Sequence, residues 1–167
     1  IVTFNSWGET STEAPLRDWL KAVDADVVLM QEVPPAWARQ EDDTFSDLYP
    51  YLANQPFEMR AWGNNTWSRY PIVATESFDL EGDGTPTHSR TVIDLNGELI
   101  AVYNIHLQVP MRETPRLRVP LLNHPYLNMV LKYDDSTRNG QIERLIGLLN
   151  DESLPYVVGG DFNMSDQ

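Results

Sequence analysis

Five polar residues with the chemistry of a metal or phosphate site follow the apolar strands of this sequence. Asn5 follows "IVTF", Glu32 lies just after "DVVLM", His106 follows "ELIAVYNI", and Asp161 and Asn163 come after "YVVGG". Strand ends are where α/β folds commonly bind ligands. The set of oxygen ligands with one imidazole suits a hard cation such as Mg2+, which takes few carboxylates and completes its shell with water and phosphate.

Each of these residues alone has an ordinary structural explanation. Asn5 is of a type that often forms turns, and Glu32 precedes two prolines where a helix could begin with an exposed acid. A single histidine at a strand end is usually a hydrogen-bonded polar residue. Asp161 is harder to explain in this way, because the two preceding glycines allow close backbone approach. The coincidence of four strand ends favours a site.

Because the chain is strongly acidic, a phosphate-bearing substrate would need a local positive charge, from a few arginines or a metal ion, to bind. The 167 residues include 12 basic and 25 acidic ones, and a formal net charge of -13 disfavours non-specific binding to a polyanion. The absence of cysteine excludes disulfides, zinc–thiolate sites and thiol nucleophiles. The nucleophile elbow, the P-loop, the HExxH motif and the dinucleotide-binding glycine motif are absent too, so other enzyme classes find little support.

Strands and helices alternate at both ends of the chain, with a run of hairpin-linked strands in the middle. The patterns predict strands at 1–4 and 26–30, β-rich segments at 65–78, 90–95 and 98–105, a last strand from Tyr156, helices at 11–23 and 141–151, and an irregular helical stretch at 34–50. Asn96-Gly97 is a hairpin signal. This order predicts a mixed α/β sandwich with helices outside the sheets.

Five short motifs occur in an order that points to one family. "TFN", "QE", "SRYPI", "YNIHL" and "GGDFN", the last preceded by "RNGQIERL", together resemble the endonuclease/exonuclease/phosphatase superfamily over the whole chain. The resemblance implies an α/β fold, the DNase I-like four-layer α/β/β/α sandwich, with residues 1–167 as a single domain. It also implies hydrolysis of a phosphodiester or phosphomonoester that depends on Mg2+ or Mn2+.

The same resemblance implies a function for individual residues. Glu32 corresponds to the principal metal ligand, with Asn5 close to it. Asp161 corresponds to the residue that positions or activates the attacking water, Asn163 to a phosphate contact, and His106 to a catalytic histidine. Two further matches, Arg138 and Gln141 at the start of the second helix, are candidate substrate contacts, although a helix cap and a surface residue explain them equally well.

The sequence departs from the family pattern at its end. The family carries a further aspartate and a Ser-Asp-His-like motif near its C-terminus, and no such motif occurs here, since neither His88 nor His124 follows an aspartate. We therefore expect the chain to be the N-terminal portion of a longer protein, lacking the last strands of the second sheet and inactive alone. No apolar run is long enough to span a bilayer. An extracytoplasmic or membrane-associated location is slightly favoured.

Substrate and partners stay open at this stage. Segment 107–137 is long and rich in proline, which predicts an insert or a substrate-side loop, and its Arg112 and Arg116 are candidate phosphate contacts; a solvated loop is the alternative. Nucleic acid, inositol phosphate and phospholipid are all possible substrates, and the acidic balance favours a small or lipid phosphoester. We expect a monomer with no obligate protein partner. A non-catalytic binding domain of the same fold is the competing hypothesis.

Overall fold

In the described part of the chain, eight strands form two four-stranded sheets, and each sheet has one helix on its outer face. The computed structural model describes residues 1–7, 13–33, 45–55, 63–82, 87–110 and 134–164. The strands are Val2–Asn5 (β1), Val27–Val33 (β2), Tyr51–Gln55 (β3), Gly63–Ser68 (β4), Ile72–Phe78 (β5), His88–Leu95 (β6), Glu98–His106 (β7) and Tyr156–Asp161 (β8). The helices are Glu13–Val23 (α1) and Ser136–Asn150 (α2).

The first sheet has the strand order β1-β2-β4-β3, with β1 and β2 parallel and the other neighbours antiparallel. Side chains alternate between the two faces of a strand. Met30 and Val28 of β2 therefore pack on one face with Leu16 and Leu20 of α1. The predicted helix is confirmed, but its buried stripe is narrower than the sequence suggested, since Trp19 is 40% exposed.

The second sheet has the order β5-β6-β7-β8, and its parallel pair is β7 with β8. On its outer face, Tyr103 and Ile105 of β7 pack with Leu145 of α2. The predicted second helix begins at Ser136, before the expected start at residue 141, and so includes Arg138.

The inner faces of the two sheets pack against each other. Leu29 and Val27 of β2 form one cluster with Ile93 of β6 and Val102 of β7. Helix, sheet, sheet and helix thus make four layers, which confirms the predicted α/β/β/α sandwich. The two parallel pairs face one another across the sandwich, because β1 and β2 contact β8 and β2 also contacts β7.

The middle of the chain divides between the sheets. The β-rich segment 65–78 contributes β4 to the first sheet and β5 to the second, with Pro71 in the connection between them. The Asn-Gly hairpin is confirmed, since Asn96 has φ 59 and Gly97 φ 102, as a type I′ turn requires. The sequence patterns did not predict β3, and most of the helical stretch expected at 34–50 lies outside the described residues.

A buried carboxylate fastens the connection between α2 and β8 to the second sheet. The Glu152 side chain is 3% exposed, and its Oε2 lies 2.6 Å from Arg90 Nε. The Tyr103 hydroxyl donates to the same oxygen at 2.7 Å, and Leu154 N donates to Oε1. Chiefly because of the Arg90 hydrogen bond, the pKa of Glu152 is lowered to about 2. Burial, followed by the Glu152 hydrogen bond, raises the pKa of Tyr103 to about 12.

No helix in the described part of the chain is both long and apolar enough to cross a membrane.

Candidate active site

The two parallel strand pairs bring four predicted site residues to one edge of the sandwich. Asn5 ends β1 and Glu32 lies near the end of β2, while His106 ends β7 and Asp161 ends β8. Asn5 Nδ2 donates to Glu32 Oε1 at 3.0 Å and to Asp161 Oδ2 at 2.8 Å. His106 Nε2 lies 3.6 Å from Glu32 Oε1. Residues that are distant in sequence therefore form one polar cluster between the sheets.

A β-bulge turns Glu32 toward this cluster. Gln31 and Glu32 together occupy the interval between the pairs Met30–Asn65 and Val33–Gly63, so two residues lie opposite one. Regular alternation would direct Glu32 to the α1 side, where Met30 packs. Glu32 instead has φ 52, a left-handed conformation that costs a non-glycine residue about 1 kcal/mol. Ser6 Oγ donates to the Glu32 carbonyl at 2.7 Å and helps to hold the bulge.

Asn5 links the two carboxylates. Its Oδ1 accepts the N–H of Trp7 at 2.9 Å, which fixes the amide with Nδ2 directed at Glu32 and Asp161. The sequence predicts Asn5 at the metal site, and this stays a prediction: Oδ1 accepts one hydrogen bond, from Trp7, and retains a second acceptor position that a cation could use. In this arrangement Asn5 positions the carboxylates.

Asp161 and Asn163 are fixed by hydrogen bonds to each other and to the backbone that follows β7. Asp161 Oδ1 accepts the N–H of Asn163 at 2.9 Å, and Asn163 Nδ2 donates to the Leu107 carbonyl at 2.7 Å. Asn163 also has a left-handed backbone, with φ 48. The expected close approach of the glycines occurs here, because a Cβ on Gly160 would lie 1.8 Å from the Ile105 carbonyl oxygen.

At the neighbouring Gly159, the missing side chain leaves room for a leucine of the other sheet. A Cβ at this position would lie 2.7 Å from Leu29 Cδ1, a contact that real side chains do not make. The φ of Gly159 is not positive, so its requirement is for space alone. Both glycines before Asp161 therefore have a steric function.

Arg138 and Gln141 lie one turn apart on α2, and both are buried. Arg138 Nη1 donates to the Asn163 carbonyl at 2.8 Å. Gln141 Oε1 accepts the N–H of Gln108 at 3.0 Å, and Nε2 donates to Glu81 at 2.7 Å. These contacts show that both side chains are held by protein partners, and their predicted contact with substrate stays a prediction. Arg112 and Arg116, the other predicted contacts, lie outside the described residues.

A layer of buried amides supports the cluster from below. Gln31 Nε2 donates to Asn104 Oδ1 at 2.7 Å across the sandwich, and Asn104 Nδ2 donates to the carbonyls of Met30 and Asn65. A buried polar network whose members are satisfied is rigid. Neither residue was assigned a function from the sequence, although Gln31 lies in the motif "QE" and Asn104 in the motif "YNIHL".

Burial governs the charge state of the histidine. Desolvation lowers the pKa of His106, while the negative charges of Glu32 and Asp161 oppose this effect. The imidazole is therefore neutral at neutral pH, with one ring nitrogen as a donor and the other as an acceptor.

The cluster fits a divalent cation held largely by solvent and substrate. Among the described residues, no three His, Asp or Glu side chains are grouped so as to hold a metal ion by themselves. Mg2+ does not require such a cage, because it is usually bound by one or two carboxylates together with water and phosphate. Glu32 meets this requirement: Oε1 receives the Asn5 hydrogen bond, and Oε2 receives none from any described residue.

The sequence profile described as the Endonuclease/Exonuclease/phosphatase family matches residues 2–166. The chain belongs to this family. No curated protein matches the sequence significantly.

Several solved structures share the fold at low sequence identity. A humanized Danio rerio TDP2 matches 99% of the chain with a TM-score of 0.66 and 15% identity. Danio rerio TDP2 complexed with a single-strand DNA product gives 0.64 and 13% over 99% of the chain. Sphingomyelinase C from Streptomyces griseocarneus gives 0.63 and 19% over 98%. The chain spans 62%, 60% and 64% of these three proteins, respectively. These matches agree with the DNase I-like fold.

Proposed function

We propose that the protein containing this chain is a metal-dependent phosphoesterase that hydrolyses a phosphodiester or phosphomonoester by attack of water. The supporting observation is the convergence of Glu32 and Asp161 on the Asn5 amide, with His106 beside them. Membership of a family of endonucleases, exonucleases and phosphatases supports phosphate-ester hydrolysis.

Each residue of the cluster has a distinct task in this proposal. Glu32 holds Mg2+ or Mn2+, and such an ion, when bound, stabilises charge on the phosphoryl oxygens. Asp161 orients the attacking water, since each of its oxygens accepts one protein hydrogen bond and retains another acceptor position. Neutral His106 contributes a donor or an acceptor near the phosphate. Asn163 has a second amide hydrogen beyond the one that Leu107 accepts.

A small or lipid phosphoester is the proposed substrate class. The formal net charge of -13 opposes broad attraction of a long polyanion. The fold is also that of a sphingomyelinase C, whose name indicates a lipid substrate. Hydrolysis of nucleic acid is the competing outcome, since a TDP2 of this fold was solved with a single-strand DNA product.

Hydrolysis by the full-length protein in Mg2+ tests both parts of the proposal. The substrates are sphingomyelin vesicles, an inositol phosphate and plasmid DNA. Glu32→Gln is expected to lower kcat by roughly 100-fold or more, because it removes the carboxylate charge at the cation site. Glu98→Gln, at the exposed start of β7, is the matched control and should retain activity.

Three results would contradict the proposal in different ways. Full activity of Glu32→Gln would overturn the metal assignment, and exclusive cleavage of DNA would overturn the substrate class. Failure to hydrolyse any substrate would favour the non-catalytic binding domain. A measurement without turnover separates these cases, because bound Mg2+ should raise the Tm of the wild type but not that of Glu32→Gln.

A further inference from the structure

We propose that His88, with the Glu81 carboxylate beside its Nε2, is a positioning residue for His106, acting on its backbone from the opposite face of the sheet. The inference rests on the proposed function, in which His106 is a site residue.

The first observation is the hydrogen bond between the two histidines. His88 is fully buried, and its Nδ1 accepts the backbone N–H of His106 at 3.2 Å. The last backbone pair between β6 and β7 joins Ser89 to Asn104, so His106 lies beyond the regular ladder. The imidazole thus supplies the acceptor where the ladder has ended.

The second observation concerns the tautomer of His88. Because Nδ1 accepts a hydrogen bond, it carries no proton, and neutral His88 is protonated at Nε2. Glu81 Oε1 lies 3.4 Å from Nε2, with a side chain that is only 10% exposed. The two atoms make no hydrogen bond, and the buried Nε2 has no hydrogen-bond partner among the described residues, so the carboxylate acts on it through charge alone. Glu81 is itself fixed, since it accepts hydrogen bonds from Gln141 Nε2 at 2.7 Å and from Thr87 Oγ1. The hydrogen bond from His106 thus defines the tautomer, and the negative charge of Glu81 beside Nε2 favours a proton on that nitrogen.

The third observation is that the same network continues along the chain. Three consecutive amides have defined acceptors: His106 N donates to His88, Leu107 N to the Asp161 carbonyl, and Gln108 N to Gln141. Two of the three acceptors are side chains of this network. The backbone that carries the His106 imidazole is thereby fixed from both sides.

The hydrogen bond can be tested without any assay of activity. In the 15N-labelled full-length protein, we expect a scalar coupling between the His106 amide nitrogen and His88 Nδ1. The His88 shifts should show an unprotonated Nδ1 and a protonated Nε2. Absence of the coupling, or protonation at Nδ1, would overturn the proposal whether or not the protein is an enzyme.

Two substitutions separate positioning from simple packing. His88→Asn places an oxygen near the Nδ1 position and keeps the acceptor, whereas His88→Gln places its polar groups near Nε2 and loses it. On the substrate that the wild type hydrolyses, His88→Gln should lower kcat by about 10- to 100-fold with little change in KM, and His88→Asn should restore most of it. Unfolding curves of both variants are measured alongside. Equal kcat values at equal stability would overturn the positioning function.

Discussion

Asn5 of β1 donates a 2.8 Å hydrogen bond to Asp161 of β8, which joins residues 156 positions apart. The same nitrogen donates to Glu32, so a single amide connects the polar ends of both sheets. Two carboxylates that face each other repel unless a donor or a cation lies between them. The integrity of the site is therefore coupled to the assembly of the whole sandwich.

Replacement of this amide by a carboxylate should damage both stability and activity. Asn5→Asp removes the donor and adds a third negative group between Glu32 and Asp161. We expect a loss of about 1 to 3 kcal/mol in the free energy of unfolding and loss of hydrolysis. Urea denaturation at neutral pH measures the first effect. Asn139→Asp, on the exposed surface of α2, is the control, and a similar stability for both variants would count against the bridge.

Because the backbone of Glu32 is strained, a substitution that relieves the strain should preserve stability while it abolishes activity. Glycine adopts φ 52 without the penalty that glutamate incurs. Glu32→Gly should therefore leave the free energy of unfolding unchanged or raise it by about 1 kcal/mol, while hydrolysis is lost. Glu98→Gly, where φ is not positive, should be destabilising instead. A large destabilisation by Glu32→Gly would show that the conformation carries no strain.

The contact between Gly160 and β7 makes a strong prediction for stability. Gly160→Ala forces a Cβ against the Ile105 carbonyl and places alanine at φ 143, so we expect a loss of about 3 kcal/mol or more, or failure to fold. Gly140→Ala in α2 meets no atom within 4 Å and should stabilise by about 0.5 to 1 kcal/mol. Denaturation midpoints of the two variants and the wild type measure both effects. A destabilisation of less than about 1 kcal/mol by Gly160→Ala would contradict the close approach to Ile105.

The pH dependence of stability should depend on Glu152. Its pKa in the folded protein is about 2, below the ordinary 4.5, so its contribution is present above pH 4.5 and is lost as the pH falls toward 2. Glu152→Gln should cost about 2 to 4 kcal/mol at neutral pH and flatten the acid limb of the stability curve. Glu76, the exposed partner of the same arginine, should contribute less than about 1 kcal/mol. Parallel acid limbs for wild type and Glu152→Gln would refute the assignment.

The sequence predicted which strand ends come together in the polar cluster, but not how each side chain reaches it. Hydrophobic runs identified β1, β2, β7 and β8, and the motifs supplied the residues at their ends. The bulge at Glu32 was not predictable, because its cause is a pairing with β4 that no local pattern reveals. The contacts of Gln141 were not predictable for the same reason, because its hydrogen-bond partners, Glu81 and Gln108, are distant from it in sequence.

Side-chain networks were the other feature beyond prediction. His88 appeared only as a histidine without a preceding aspartate, and its contact with His106 depends on where the β6–β7 ladder ends. For the two glycines before Asp161 the prediction was partly correct. The sequence predicted a close approach at these positions, but not that Ile105 approaches Gly160 and Leu29 approaches Gly159. Such contacts are set by tertiary packing, which periodicity does not encode.

Leu29 and Gly159 share one volume at the centre of the sandwich, since a methyl group at 159 would overlap the end of the leucine. The two positions should therefore change together over evolution: a lineage that acquires alanine at 159 first needs a smaller residue, such as valine, at 29. The opposite order passes through an overpacked intermediate. Residues 29 and 159 are therefore expected to covary among homologous sequences.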